Sequence, residues 1–89
     1  MNAIVTVIGK DKVGIIAKVT ATLASLDVNV LDLSQTIMQG NFTMVMLVDL
    51  AASKSSFGEV KDALNELGKE IELSIKIQRT EIFESMHSI

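Results

Sequence analysis

The sequence has no cysteine, no proline, no tryptophan and no tyrosine, and histidine occurs once, at His87. Without cysteine the chain has no disulfide, no thiolate nucleophile and no thiolate metal ligand, which fits a reducing compartment. A single histidine near the C-terminal end supplies neither a histidine metal site nor an acid–base pair. We therefore expect a protein that is not an enzyme and that uses no metal and no cofactor.

Positive charge and long apolar runs are also scarce. The chain has 8 Lys and Arg against 11 Asp and Glu, for a net charge of −3, whereas nucleic acid and anionic lipid attract clustered basic residues. No apolar run approaches the roughly 18 residues of a membrane-spanning helix, and the first ten residues lack the basic and apolar regions of a signal peptide. We expect no nucleic-acid partner, no membrane association and a cytoplasmic location.

What the sequence does have is apolar residues, which make up 48% of its 89 positions. That proportion is typical of a packed domain, and the short length favours one hydrophobic core. The sequence predicts a single domain over residues 1–89, with a core over 1–79 and a C-terminal extension over 80–89.

Changes in hydrophobic period divide the first half of the chain into four elements. β-branched residues predict a strand over 3–8, and apolar positions three or four apart from Val13 onward predict a helix that Asp11 caps. Two strands, 29–39 and 42–50, follow as a hairpin around a short loop that contains glycine and asparagine. The first half of the chain is therefore predicted to fold as β-α-β-β.

The second half of the chain adds a helix and a strand. Ser56 and Glu59 match a capping box, and apolar residues at helical spacing continue to Gly68, which suits the end of a helix. Clean alternation predicts a strand over 71–78. The C-terminal extension is predicted to form a short helix with one apolar stripe, made of Ile82, Phe83, Met86 and Ile89.

The order β-α-β-β-α-β predicts an α+β fold, the ferredoxin-like sandwich of a four-stranded antiparallel sheet with two helices on one face, plus the short C-terminal helix. Such a sheet needs apolar side chains only on the face that the helices cover. The first and third strands are apolar on their other face too, at Ile4, Ile8, Val45 and Leu47. We expect the C-terminal stripe or a second subunit to cover this face, and we expect a homodimer.

The segment Gly9-Lys10-Asp11-Lys12-Val13-Gly14 joins the first strand to the first helix. Backbone amides and the positive end of a helix dipole favour small anions at such a place, and Gly14 lets a ligand or another backbone approach closely. The glycine spacing fits neither the dinucleotide fingerprint nor the phosphate-binding loop. An ordinary turn with a capping Asp and a close-packed glycine is the alternative that these residues leave open.

From Ala3 to Leu50 the chain resembles an ACT domain, in which a loop and a glycine open the first helix and an Asn-hydrophobic pair opens the second strand. It is most similar to small stand-alone bacterial ACT proteins related to the glycine cleavage system repressor. The resemblance implies a homodimeric regulatory module that binds a small molecule, such as an amino acid, between the loop of one subunit and the second strand of the other, and that acts on a protein partner. The ligand-binding residues that it implies are Lys10, Asp11, Lys12, Val13, Gly14, Asn29, Val30 and Leu31.

Asn29 is the residue of most interest in this set. Its amide can accept from an ammonium and donate to a carboxylate, as a zwitterionic amino acid requires, although a turn residue that starts a strand is an equally good explanation. The chain departs from many amino-acid-sensing members at Asp11, where they have Asn or His, and at Val13, where they have Pro. A carboxylate at Asp11 repels a ligand carboxylate but attracts an ammonium.

Three other functions compete with regulatory binding. An assembly module would use the sheet only for association and would bind no ligand at the loop. Acylphosphatase-like hydrolysis uses the same loop but needs an arginine to clamp phosphate, whereas this loop offers only Lys10 and Lys12. RNA recognition needs aromatic side chains on the central strands, where Phe42 alone is available. Regulatory binding is the leading hypothesis, and the assembly module is the alternative.

Overall fold

The computed structural model describes residues 1–80, so the predicted tail helix lies outside the described residues except for Thr80. The elements are β1 (Asn2–Lys10), α1 (Ile15–Ser25), β2 (Asn29–Met38), β3 (Asn41–Asp49), α2 (Phe57–Ile71) and β4 (Ser74–Arg79). The strands form one antiparallel sheet in the order β2-β3-β1-β4. The predicted ferredoxin-like α+β fold is confirmed. Neither helix is long and apolar enough to cross a membrane.

The central strands β1 and β3 determine which face of the sheet is buried. Val5 lies opposite Met46 and Val7 lies opposite Met44, and all four side chains are fully buried. Directly paired residues point to the same side of a sheet, so these pairs form one continuous apolar surface. The helices cover that surface with Ile15, Val19 and Leu23 of α1 and with Val60, Leu64 and Leu67 of α2. The core therefore lies between the sheet and the two helices.

The hairpin between β2 and β3 has a tighter turn than the sequence predicted. Gln39 and Gly40 form it, and both have positive φ, at 53° and 78°, which is the geometry of a two-residue type I′ turn. Asn41, expected in the loop, is already the first residue of β3. The turn brings the end of β2 next to the segment that follows β1.

Helix α1 begins later than the sequence predicted, and Asp11 is not its N-cap. The first helical residue is Ile15, and Gly14 holds the N-cap position in the left-handed conformation with no side-chain cap. The backbone amide of Asp11 donates to the carbonyl of Gly40 at 2.8 Å. The prediction was wrong because aspartate is common in loops as well as at helix N-caps. Here Asp11 belongs to a loop, and a backbone hydrogen bond holds that loop in place.

Helix α2 starts with the predicted capping box. The amide of Glu59 donates to the Ser56 hydroxyl at 3.1 Å, and the Ser56 amide donates to the Glu59 carboxylate at 2.9 Å. The bond from the Ser56 amide, and then the bond involving its hydroxyl, lower the pKa of Glu59 from its ordinary value. These two bonds satisfy backbone donors that the first turn of a helix otherwise leaves free.

Gly68, predicted to end α2, lies inside the helix, which continues to Ile71 and ends with Glu72 in the left-handed conformation (φ 57°). A Cβ at residue 68 would lie 2.7 Å from the carbonyl oxygen of Leu73, and the Leu73 amide donates to the Gly68 carbonyl at 2.9 Å. Glycine is therefore needed for the close approach of the returning chain. The strand predicted over 71–78 starts at Ser74, because Ile71 completes the helix.

We expect the Gly68→Ala substitution to destabilise the protein by about 1 to 3 kcal/mol, because the added methyl group overpacks against backbone that cannot move freely. This change in stability is opposite in sign to the one that helix propensity alone would give, since propensity favours Ala over Gly by about 1 kcal/mol. Urea unfolding followed by circular dichroism measures the difference.

Gly58→Ala, in the first turn of the same helix, is the matched control. There the nearest atom to an added Cβ is the Ser56 Oγ at 3.9 Å, so we expect unchanged or slightly higher stability. Equal stability of the two variants would refute the steric account of Gly68.

Candidate functional site

The predicted site residues lie at opposite ends of the sheet. Lys10 pairs with Asn41 at the end that carries the β1–α1 loop, whereas Asn29 pairs with Asp49 at the other end. Strand β2 runs from Asn29 to Met38, a span of about 30 Å at the usual rise of an antiparallel strand. The loop and Asn29 therefore do not meet within one chain.

The loop forms one wall of a surface cavity of about 200 Å³, called here the loop pocket. The opposite wall comes from the end of β2 and the start of β3. The volume is below the roughly 300 Å³ at which pockets for drug-sized ligands begin, so it suits a small metabolite. The lining residues are Asp11, Lys12, Gly14, Ile15, Ile16, Ala17, Gln35, Ile37 and Phe42.

The loop pocket combines a positive helix end with a carboxylate. The first turn of α1 has no acidic residue and no side-chain cap, so its amides and the helix dipole present positive partial charge. Asp11 adds an exposed carboxylate to the same lining. An anion and a cation held close together, as in a zwitterion, would each find an opposite charge there.

Lys12 links the loop pocket to helix α2. Its ammonium donates to the carbonyl of Ile71 at 2.8 Å, at the C-terminal end of a helix, where the dipole favours a cation. Lys12 also lines a second cavity of about 200 Å³, together with Lys18 and Glu70. One side chain therefore lies between two cavities and holds the loop against the last turn of α2.

The remaining predicted residues are less closely grouped. Val13 is fully exposed and does not line the loop pocket, and Lys10 is exposed at the end of β1. Val30 is half-buried against the core, and Leu31 lies at a β-bulge with 47% of its surface exposed. Three of the eight predicted residues therefore line the loop pocket.

Sequence reasoning missed the wall that the hairpin contributes. Gln35, Ile37 and Phe42 line the loop pocket although none was predicted as a site residue. Gln35 lies opposite the buried Met44, between Leu33 and Ile37 in the row of β2 residues that share the side of the helices. A polar residue in that otherwise apolar row is a signal that the sequence did contain.

A larger cavity, of about 380 Å³, lies between the end of α2 and the start of β4. It contains none of the predicted residues, and polar and charged side chains such as Asn65, Lys69 and Lys76 line it. Among residues 1–80, no group of three His, Asp or Glu side chains could hold a metal ion. The loop pocket is therefore the best candidate for a ligand site.

A ferredoxin-like sheet with a small pocket between the β1–α1 loop and an edge strand defines a class of small ligand-binding domains. A sequence profile of the ACT domain matches residues 2–78, and the chain belongs to the ACT domain family. ACT domains are in general regulatory domains that bind small molecules.

Comparisons with individual proteins agree with this assignment. A UPF0237 protein of Clostridium acetobutylicum is 58% identical over 89 residues, which cover 100% of both chains. An ACT domain protein from Streptococcus pneumoniae has a TM-score of 0.83 and 39% identity, with 94% of each chain covered. A candidate glycine cleavage system transcriptional repressor has a TM-score of 0.77 and 25% identity over 86% of this chain and 44% of its own. The resemblance inferred from the sequence is confirmed.

Glycine is favoured at position 14 by the backbone conformation, and the close packing that the ordinary-turn alternative included is absent. Its φ is 85°, and a Cβ built there meets nothing within 4 Å. We expect Gly14→Ala to destabilise the protein by about 1 kcal/mol through left-handed backbone strain alone. Gly14→Asn should cost less, because asparagine tolerates this conformation better. Urea unfolding of both variants measures this order, and a Gly14→Ala variant as stable as the parent would contradict the argument.

Proposed function

We propose that the chain is a regulatory, non-catalytic ACT module that binds an amino acid, or a zwitterion of similar size, as a homodimer. The observation that supports this most is the separation of the loop from Asn29 by the length of the sheet. Within one chain the two halves of the expected site lie at opposite ends of the sheet, so a complete site requires a second copy.

A twofold arrangement along β2 would bring the two halves together. β2 is an edge strand and has β3 on one side only. When two β2 strands run antiparallel side by side, Asn29 of one copy lies beside Met38 of the other, at the end of the sheet that carries the loop. The dimer then has two equivalent sites, each built from the loop of one copy and the start of β2 of the other.

The surface of β2 supports an association of this kind. Its exposed large apolar side chains are Leu31 (47%), Leu33 (36%), Ile37 (53%) and Met38 (66%). Complete burial of one such side chain contributes about 1.5 to 3 kcal/mol, and the net stability of a domain is only about 5 to 15 kcal/mol. Covering β2 would therefore stabilise a small domain substantially.

The loop pocket offers suitable partners for each end of an amino acid. The ligand carboxylate would accept hydrogen bonds from the first-turn amides of α1, and the ammonium would lie near Asp11 and the amide oxygen of Asn29 from the second copy. Gln35 would supply a further polar contact, while Ile37 and Phe42 would contact the ligand side chain. A relative named as a candidate repressor of the glycine cleavage system is consistent with a ligand of this class and with a regulatory protein partner.

An assembly module without a ligand is the second candidate. The ammonium of Lys12 already donates to Ile71 within the chain, and the exposed apolar residues of β2 explain association without any ligand. The two functions differ in one measurable property, which is selective stabilisation by a small molecule.

We expect one amino acid, or a small group of related ones, to raise the melting temperature selectively. A ligand at 100 times its Kd adds about 2.7 kcal/mol, which corresponds to roughly 10 to 20 °C in a domain of this size. Differential scanning fluorimetry against the twenty amino acids, with matched amines and carboxylic acids as controls, measures this. Isothermal titration calorimetry of any hit gives its Kd.

The matched variants for this experiment are Asn29→Ala and Thr36→Ala, both on β2. We expect Asn29→Ala to weaken binding by about tenfold, the effect of one lost hydrogen bond to a charged group, and Thr36→Ala to leave the Kd unchanged. A flat response across the panel from a stable dimer would favour the assembly module.

The proposed dimer leads to a separate prediction. We expect sedimentation to give about twice the chain mass of 9.6 kDa, and we expect Leu33→Lys to shift the protein to monomer, because it places a charge in the β2 contact. Ser74→Lys, at the opposite edge of the sheet, is the control and should stay dimeric. A monomeric parent protein, or a dimer that tolerates Leu33→Lys but not Ser74→Lys, would overturn the β2 arrangement.

A further inference from the structure

The outer edge of β4 has no partner strand among residues 1–80. β4 lies at one end of the strand order and pairs with β1 alone. Every second residue of such a strand directs its backbone N–H and C=O away from the sheet, where another strand can bind them. The strand has 6 residues, which give an edge of about 20 Å. That length is enough to pair with a short extended segment.

A groove runs along this edge between β4 and α2, and it is called here the β4 groove. It consists of two cavities of about 380 and 370 Å³ that share Asn65 of α2 and Lys76 of β4. The start of β4 lines one cavity together with Lys69, and the end of β4 lines the other together with Lys61. Helix and strand therefore run in opposite directions along the groove, and α2 forms a side wall for any strand that is added to the edge.

The wall that α2 provides carries a row of polar side chains whose spacing matches that of a strand. Lys61, Asn65 and Lys69 are four residues apart, or about 6 Å along a helix, and alternate residues of a strand are about 6.8 Å apart. All three side chains are exposed. Alternate side chains of an added strand would therefore each lie beside one member of this row.

The β4 groove is basic, although the chain as a whole has a net charge of −3. Lys61, Lys69 and Lys76 line it, and among residues 1–80 Glu72 is the one acidic residue that lines either cavity. The ammonium of Lys69 lies 3.6 Å from the carboxylate of Glu66, but both side chains are 77% exposed, and such pairs are weak. The charges of the groove therefore favour an acidic partner.

The same charges disfavour a second copy of the chain at this edge. When two β4 strands pair around a twofold axis near the middle of the strand, Lys76 of one copy comes close to Lys76 of the other. Like charges at neighbouring positions of a sheet are destabilising. The opposite edge of the sheet, β2, carries exposed apolar side chains instead. Self-association therefore suits β2, and β4 suits a chain of different sequence and negative charge.

We propose that the β4 groove binds an extended, acidic segment of a partner protein, which adds to the sheet as a fifth strand beside β4. The backbone of the segment pairs with the free edge, and its carboxylates lie beside Lys61, Lys69 and Lys76. The β4 groove shares no residue with the loop pocket or with β2, so this proposal does not depend on ligand binding or on the dimer.

Fluorescence anisotropy at low ionic strength tests this with a labelled peptide of eight alternating Glu and Thr residues. The control peptide has Lys in place of Glu, and we expect it not to bind. The Lys61→Ala and Lys69→Ala double variant should raise the Kd of the Glu peptide about fivefold, the effect of two exposed ion pairs. The matched control is the Lys18→Ala and Lys54→Ala double variant, which removes the same charge outside the groove and should leave the Kd unchanged. All four lysines are exposed, so the fold should be retained.

Two N-methylated forms of the Glu peptide separate strand addition from attraction between charges alone. One form carries methyl groups on the Glu amides, and the other carries them on the Thr amides. Alternate amides of a strand point to the same edge, so one form keeps the set that pairs with β4 and the other form loses it. We expect their Kd values to differ by at least about tenfold, because several backbone hydrogen bonds are lost together.

Three results of the peptide experiments would overturn the proposal. They are an absence of binding by the Glu peptide, equal binding of the two methylated forms, and a Kd that the Lys61→Ala and Lys69→Ala changes do not affect. A dimer that Ser74→Lys disrupts would overturn it as well, because a second copy would then occupy this edge.

Discussion

The antiparallel ladder between β1 and β3 is the contact on which the rest of this structure depends. It buries Val5, Val7, Met44 and Met46 completely beneath the helices, and a shift of one residue would turn these side chains to the face of the sheet that points away from the helices. The same ladder places Lys10 at one end of the sheet and Asn2 at the other. The core, the position of the β1–α1 loop and the composition of the other face of the sheet are therefore consequences of one strand pairing.

That pairing also explains why ligand binding and association would be coupled. The loop pocket belongs to one end of a protomer, and Asn29 belongs to the other, so each proposed site is complete only in the dimer. A ligand that binds the complete site stabilises the dimer, and dimer formation raises the affinity for the ligand by the same factor. The bond from Lys12 to the carbonyl of Ile71 connects this site to the last turn of α2. A movement of the loop would therefore strain or break a contact with that turn.

The sequence was sufficient for the topology and for the capping box, because hydrophobic period and the Ser56–Glu59 pair are local signals. It was insufficient where one residue type serves two purposes. Gly68 was assigned to a helix end but is required by the close approach of Leu73, and Asp11 was assigned to a cap but holds a loop through its backbone. Gln35 interrupts an apolar row of β2, which is a local signal, but its place in the loop pocket depends on how β2 packs beside α1, and that packing is not encoded in any local pattern.

The two apolar surfaces of this domain differ in what they can bind. β2 offers free backbone donors and acceptors together with exposed apolar side chains, so it suits pairing with another strand around a twofold axis. The face of the sheet that points away from the helices offers side chains only on its central strands, because β1 and β3 are already paired on both edges. An association through β2 alone, around one twofold axis, stops at a dimer, which is the assembly that the proposed ligand site requires.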